Sequence, residues 1–442
     1  MRVLFGTDGI RGKAHEYPLD PATMFALGEA LAHRLKGGKV LLGMDTRESG
    51  PEIARALNAG IRQGGGEAVL IGVVPTPAVA YLCHTMPDAA AGLSISASHN
   101  PFGDNGVKIF GHDGMKIADA IEEEIEDELR AIRRDAVTIP DEPLPDSPEL
   151  IESYEAFLLS AVKPNALAGK RVVLDTGNGA AYRIGPEAFR RAGADVTVIN
   201  DAPNGTNINE KSGALHPEGL AKVVVEKGAD FGVAFDGDAD RAIFVDDAGK
   251  VRDGDEIIYL WAQRLHREGK LTAECVVTTV MSNFGFEKQL RMDGIELCRA
   301  NVGDKYVLEM MQARGAILGG EQSGHIIDLS VHTTGDGVHT ALVVGELLAE
   351  AGRPFSELRT FTPMPQLLVN KKVASKPPLD SLSRYNDAKA KAEGELGGRG
   401  RILVRYSGTE NLVRVMVEGE DDALIRRIAD DLAAVLLAEI GA

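Results

Sequence analysis

Short apolar runs alternate with amphipathic stretches along most of the chain, the pattern of strands separated by helices. Lys39-Val-Leu-Leu-Gly-Met-Asp45 predicts a strand, Pro51 to Gln63 a helix, and Ala68-Val-Leu-Ile-Gly-Val-Val74 a second strand after a glycine turn. The same order recurs in Arg171 to Asp175, Pro186 to Arg191, Gly193 and Val196 to Ile199. A third copy runs through Cys275 to Val280, Phe286 to Arg291, Gly294 and Ile295 to Cys298. Each predicted helix ends in an Arg followed within three residues by Gly, which suits a helix C-terminus that turns through positive φ.

Behind each unit lies a small-residue strand, a polar loop and another strand. The three versions are Ala91–Ile95, Ser96–Gly106 and Val107–Phe110; Phe231–Phe235, Asp236–Asp240 and Ala242–Val245; and Ala316–Gly319, Glu321–Gly324 and His325–Ile327. One match could arise by chance, but three in the same order predict a triplicated α/β unit with mostly parallel sheets and ligand loops at strand ends. The tail differs: Arg401–Arg405 and Leu412–Val417 read as a hairpin, followed by an amphipathic helix from Asp421 to about Ile440. Proline-rich Pro140–Pro148 and Ser375–Leu379 read as linkers. The expected division is three related α/β domains, residues 1–150, 151–253 and 254–365, with a smaller C-terminal α+β domain at 366–442.

Composition narrows the function classes. The 48 Lys+Arg against 66 Asp+Glu leave a net charge of −18, which argues against a dedicated binder of nucleic acid or anionic membrane. Small anionic substrates stay open, because a local cluster of arginines can invert the field within one cleft. No run reaches the roughly 18 apolar residues of a membrane helix, and Asp8 interrupts the N-terminus before any signal-peptide core. A cytoplasmic protein is expected. Cys83, Cys275 and Cys298 show no C-x-x-C spacing and read as buried, reduced thiols.

The polar loops carry the candidate chemistry. Asp236-Gly-Asp238-Ala-Asp240 places carboxylates at i, i+2 and i+4, on one side of an extended loop. Packed together they repel unless a hard cation neutralises them, and oxygen-only ligands point to Mg²⁺. Ser96-Ala-Ser98-His99-Asn100-Pro101 offers a hydroxyl nucleophile beside a proton carrier, on what reads as an exposed turn. Asn105-Gly106 predicts a tight turn that brings Lys108 back beside it. Glu321-Gln-Ser323-Gly-His325 offers a carboxylate and a hydroxyl for sugar hydroxyls, with His325 as an acid or base. Arg405-Tyr-Ser407-Gly408-Thr409-Glu410, followed by Arg414, suits a phosphate dianion, and Gly6 to Gly12 is a glycine-rich turn bearing Arg11.

On these loops, in this order over essentially the whole chain, the sequence resembles the α-D-phosphohexomutase superfamily. The resemblance implies three related α/β domains and a smaller fourth around a central cleft. It implies that Ser98 bears a phosphoryl group and ligates Mg²⁺ together with Asp236, Asp238 and Asp240. It also implies that Glu321 and Ser323 read the sugar, and that Arg405, Ser407, Gly408, Thr409 and Arg414 hold the distal phosphate. Arg11, His99, Lys108 and His325 match active-site positions whose proton-transfer roles stay open. The implied reaction moves phosphate between the 6- and 1-positions of a hexose phosphate through a glucose- or glucosamine-1,6-bisphosphate, which serves as intermediate or activator.

Gln322 and the closing Val413-Arg-Val-Met-Val-Glu-Gly419 resemble the glucosamine branch, which feeds amino-sugar nucleotide and cell-wall precursor synthesis; the phosphomannomutase/phosphoglucomutase branch more often has Met at the Gln322 position. Asn411 departs from the family's usual Pro. Two other classes compete. Asp236-Gly-Asp238 also resembles the dehalogenase entry motif, in which the first Asp is the nucleophile of an aspartyl-phosphate phosphatase. A non-catalytic sugar-phosphate sensor would be expected to lose Ser98 or one of the triad, and none is lost. Whether the chain forms a homodimer is left open.

Overall fold

A computed structural model describes residues 4–6, 8–132, 137, 139–141, 144, 146–407 and 411–441. The chain forms two compact units, one of Met1–Thr279 with Ala300–Arg359 and the other of Val280–Arg299 with Thr360–Ala442.

The first unit holds a six-stranded sheet in the order Phe5–Gly6, Gly9–Lys13, Asp104–Gly111, Ala89–Ile95, Lys39–Met44, Glu67–Val73. Lys39–Met44 runs parallel to both neighbours, whereas Asp104–Gly111 returns antiparallel to Ala89–Ile95. A second, five-stranded sheet repeats the plan. Arg171–Asp175 lies parallel to Asp195–Ile199 and to Phe231–Phe235, and Ala242–Asp246 returns antiparallel. In the third sheet Cys275–Thr279 is parallel to Leu318–Gly320, which Ile326–Asp328 rejoins antiparallel. The central strands are covered on both faces, so they read as continuous apolar runs, with Val40, Leu41 and Leu42 at 0% exposure.

This topology puts three loops at one equivalent place, between a central parallel strand and its antiparallel return. They are residues 96–103, 236–241 and 321–325, the loops that the sequence marks for chemistry. One local expectation fails. Asn105-Gly106 is not a hairpin turn but lies inside the strand Asp104–Gly111, because Asn105 is spent on Ser49 Oγ (2.8 Å) and on the Gly106 amide (2.8 Å). Lys108 reaches the loop from within that strand.

In the second unit, Gln366–Lys372, Leu412–Gly419 and Gly400–Tyr406 form an antiparallel sheet. Ser383–Leu396 and Asp422–Ile440 are its helices, and the core joins Val413, Val415 and Val417 to Ile425, Ile428, Leu432 and Leu436. The hairpin and last helix match the expectation. The outer strand and the helix Ser383–Leu396 have no strong sequence signature, since that helix buries only Tyr385, Ala392 and Leu396. Phe284–Met292, read as part of the third repeat, groups with this unit.

Cys83, Cys275 and Cys298 are free and buried, and burial, then Asp113, pushes the Cys83 thiol up to about 12. Among the described residues no helix is long and apolar enough to cross a membrane.

Helices Pro21–Leu35 and Gly50–Gln63 approach through glycines: a Cβ at Gly60 would lie 1.9 Å from Phe25 O, and one at Gly28 2.3 Å from Leu57 O. In an open helix Gly→Ala gains up to about 1 kcal/mol; here the clash reverses the sign. Gly60→Ala should lose about 1–3 kcal/mol and melt below wild type, while Gly219→Ala, with open space around it, should melt at or above it. A Gly60→Ala protein melting no lower than wild type would contradict the close approach.

Candidate active site

Ser98 sits where the polypeptide leaves Ala89–Ile95, in a left-handed conformation (φ 52°), and is 1% exposed. The expected exposed turn is therefore a buried one. Its hydroxyl donates to Asp236 Oδ2 at 2.6 Å and lies 3.3 Å from His99 Nδ1. Asp236, Asp238 and Asp240 are themselves buried, with one carboxylate oxygen of each within 4.8 Å of the others. Side chains 138 residues apart in the chain are thus brought together here.

The electrostatics follow from this crowding. Burial, then repulsion from Asp240 and Asp238, holds the Asp236 carboxyl well above the usual range. Burial pushes Asp240 the same way, but Lys108 and His325 outweigh it and hold that carboxyl well below. Lys108 Nζ is 3.0 Å from Asp238 Oδ2, 3.2 Å from Asp240 Oδ2 and 3.3 Å from Asp8 Oδ2. Burial alone would discharge it; these three carboxylates keep it charged. Asp238 Oδ1 and Asp240 Oδ1 remain buried with no hydrogen-bond partner among the described residues. Buried carboxylate oxygens without a hydrogen-bond partner, in an all-oxygen set, fit a hard divalent cation.

His325 Nδ1 lies 3.7 Å from Asp240 Oδ2, and Gly335 N–H donates to its Nε2 at 3.2 Å. Burial lowers the ring's pKa, but Asp240, then Asp304 and Glu321, outweigh it and raise it. His99 is shifted down, by burial and then by Arg241 and Arg11. Arg11 pairs with Asp8 and donates to Ala97 O at 3.3 Å, which places it against the Ser98 loop.

The loop of Glu321 and Ser323 is pinned by Glu321 N–H to His325 O (2.8 Å) and by Gly303 N–H to Glu321 Oε1 (3.2 Å); Ser323 is exposed. Gln322 donates to Asp253 Oδ2 at 2.9 Å, so its amide is engaged with the cap of helix Gly254–Arg267.

Arg405 and Arg414 belong to the second unit, where they face each other across adjacent strands. Like charges so placed repel, and burial followed by Arg414 lowers the Arg405 pKa. Arg414 Nε is buried without a partner among the described residues, which leaves a donor for an anion. Ser407 is buried and accepts Lys376 Nζ at its carbonyl, 2.7 Å away. Gly408 and Thr409 lie outside the described residues.

Several residues were not anticipated. Thr76 donates its hydroxyl to Asp238 Oδ2 (2.7 Å) and its N–H to Asp238 O (2.9 Å). Lys116 joins Asp8 to Asp304. Arg47 and Asn209 bind the backbone of the Ser98 loop. Asp45-Thr-Arg47, charged residues at the end of an apolar strand, was a readable signal for Arg47; the others are fixed by tertiary packing.

Family models for the phosphoglucomutase/phosphomannomutase α/β/α domains I, II and III match residues 2–135, 150–249 and 253–363, and the C-terminal domain model matches 368–435. The chain belongs to this family, with three α/β domains and a small C-terminal one. Among curated proteins it is 47% identical to a phosphoglucosamine mutase of Symbiobacterium thermophilum and 45% identical to one of Syntrophobacter fumaroxidans, covering 100% of both chains in each case. Among solved structures it resembles a phosphoglucomutase/phosphomannomutase family protein from Burkholderia thailandensis (TM-score 0.80, 24% identity, 99% and 97% covered). It also resembles N-acetylphosphoglucosamine mutase of Aspergillus fumigatus, solved with GlcNAc-6P and magnesium (TM-score 0.64, 18% identity, 98% and 95% covered).

The acidic cluster makes a direct prediction about metal. Calorimetric titration of Mg²⁺ into the protein should show binding that Asp238→Asn weakens at least about tenfold, the range of ligand-shell losses. Equal affinity in the variant would exclude Asp238 from the metal site.

Proposed function

We propose that this phosphohexomutase, an isomerase, interconverts glucosamine 6-phosphate and glucosamine 1-phosphate through a phosphoserine at Ser98 and a 1,6-bisphosphate. The observation that carries the reading is the Ser98 hydroxyl 2.6 Å from one carboxylate of a buried three-carboxylate cluster. The glucosamine assignment is supported by full-length similarity to phosphoglucosamine mutases at 45–47% identity.

Phosphoryl transfer needs positioning and charge neutralisation more than covalent chemistry. Asp236, Asp238, Asp240 and the phosphoserine are the proposed holders of Mg²⁺, which when bound neutralises charge on the transferring group. The phosphoryl group passes from Ser98 Oγ to the free sugar hydroxyl; that hydroxyl loses its proton, and Ser98 Oγ regains one. His99, with Nδ1 3.3 Å from Oγ and held toward its neutral form, is the proposed proton carrier at the serine. Lys108 and Arg11 supply positive charge beside the transferring oxygens, and His325 is placed to act on the sugar side. Glu321 and Ser323 read sugar hydroxyls. Arg405, Ser407, Gly408, Thr409 and Arg414 hold the phosphate that is not reacting, whichever carbon bears it. The bisphosphate then turns over, and its other phosphoryl group returns to Ser98.

The aspartyl-phosphate alternative puts the phosphate on Asp236 instead. Peptide mapping of active protein should find an acid-stable phosphoester on Ser98, and Ser98→Ala should lose nearly all turnover; a hydroxylamine-labile phosphate on Asp236 would overturn the assignment.

Substrate preference is tested by kinetics on one preparation. A site that receives a 2-ammonium group leaves its partners unpaired when a hydroxyl replaces it. That costs about 1–3 kcal/mol, roughly 5- to 150-fold in kcat/KM. Glucosamine 1-phosphate should lead glucose 1-phosphate by such a factor, with residual activity on the latter because the phosphate contacts are shared. Equal values, or a preference for mannose 1-phosphate, would overturn the glucosamine assignment.

A further inference from the structure

A guanidinium has five N–H groups in a planar fork, and at Arg47 all five are used inside the protein. Nε donates to Asp45 Oδ2 at 2.9 Å. Nη1 donates to Pro101 O and, at 2.8 Å, to Asp104 O. Nη2 donates to Ser98 O at 3.0 Å and Asn100 O at 2.7 Å. The side chain is 0% exposed, so every bond is made out of water. Four of the five acceptors are backbone carbonyls of one segment, the one that carries Ser98.

The partner of this charge works on the same segment. Asp45 Oδ2 also accepts the Ser96 hydroxyl at 2.5 Å, and Ser96 Oγ in turn accepts the Ser98 N–H at 2.9 Å. Arg47 and Asp45 thereby fix both the amide and the carbonyl of Ser98. Asn209, from a different sheet's loop, adds donors to Ser98 O (2.9 Å) and Asn100 O (3.2 Å). Between these fixed points Ser98 takes φ 52°, which a residue with a Cβ adopts only when its surroundings over-determine it.

We infer that Arg47 is a positioning residue for phosphoryl transfer: it locks the backbone of the 98–104 segment so that Ser98 Oγ stays aimed at the acidic cluster, without itself touching the substrate. This rests on the reading of Ser98 as the phosphoryl carrier. The serine must donate to one end of the sugar and accept from the other, so its seat has to hold the same geometry through both halves of the cycle. Lysine cannot substitute for the fork. Its ammonium keeps the charge opposite Asp45, but its three donors cannot span four carbonyls arranged around a plane. Displacement of a reacting atom by about 1 Å costs on the order of 10²-fold in rate.

The test compares wild type, Arg47→Lys and Asn209→Ala as full-length, Mg²⁺-loaded proteins, assayed well below each protein's melting temperature. Arg47→Lys should lower kcat roughly 100-fold while leaving KM for glucosamine 1-phosphate within about threefold. Asn209→Ala, which removes the weaker donors to two of the same carbonyls, should lower kcat roughly tenfold. The double variant should fall short of the product of the two losses, because both act on one segment. Peptide mapping for phosphate on Ser98 accompanies the kinetics. Phosphate absent from active wild-type Ser98 defeats the phosphoserine reading itself. With wild-type Ser98 phosphorylated, unchanged kcat in Arg47→Lys, or a raised KM at unchanged kcat, overturns the positioning role. If Arg47→Lys does not fold, unchanged kcat in Asn209→Ala overturns it equally.

Discussion

The first unit is organised around one electrostatic constraint: three carboxylates within reach of one another and buried in the fold. Left alone they would repel and take up protons, as the upward shift at Asp236 registers. The fold counters with positive charge brought from elsewhere. Lys108 comes in on a strand of another sheet, Arg241 follows directly in the chain, and Asp8 with Lys116 extends the alternation of signs outward to Asp304. Asp238 Oδ1 and Asp240 Oδ1 still have no hydrogen-bond partner among the described residues. An arrangement so nearly balanced, with room for one more cation, is costly as structure and useful as chemistry.

That the constraint can be met at all is a consequence of repetition. Each α/β unit leaves its central strand into a loop and returns antiparallel, and the three loops are free to diverge in sequence because the sheets hold their ends. One loop carries a serine in a strained conformation, one the carboxylates, one a carboxylate and a histidine. The candidate chemistry is divided among three units of the same supersecondary plan. Arg47 binds the backbone carbonyls of one of these loops, and on the proposed reading it holds Ser98 still without touching the substrate.

Much of this was legible before the structure. The central strands announce themselves as apolar runs, and the polar loops stand out because they interrupt such runs at the same point three times. Asp236, Asp238, Asp240 and Ser98 were found for that reason, and their convergence followed from the topology. What was hidden obeys different physics. Asn105-Gly106 has the composition of a hairpin turn, yet its side-chain bonds keep it in a strand. Gln322 stands out in the sequence as a mark of the glucosamine branch, but only the fold shows its amide engaged by Asp253, a partner 69 residues away. Thr76, Asn209 and Lys116 are ordinary residues in the sequence and act only through neighbours that folding supplies. Ser383–Leu396 escaped because so few of its residues are buried.

The central claim is that Ser98 hands its phosphoryl group to the sugar and receives one back. A single-turnover experiment with isotopically labelled phosphate on the enzyme addresses it most directly. On mixing with excess glucosamine 6-phosphate, label should leave Ser98 at a rate no slower than kcat, appear in glucosamine 1,6-bisphosphate, and pass on to sugar monophosphate. Label released to solvent as inorganic phosphate, or retained on the protein while product accumulates, would contradict the account.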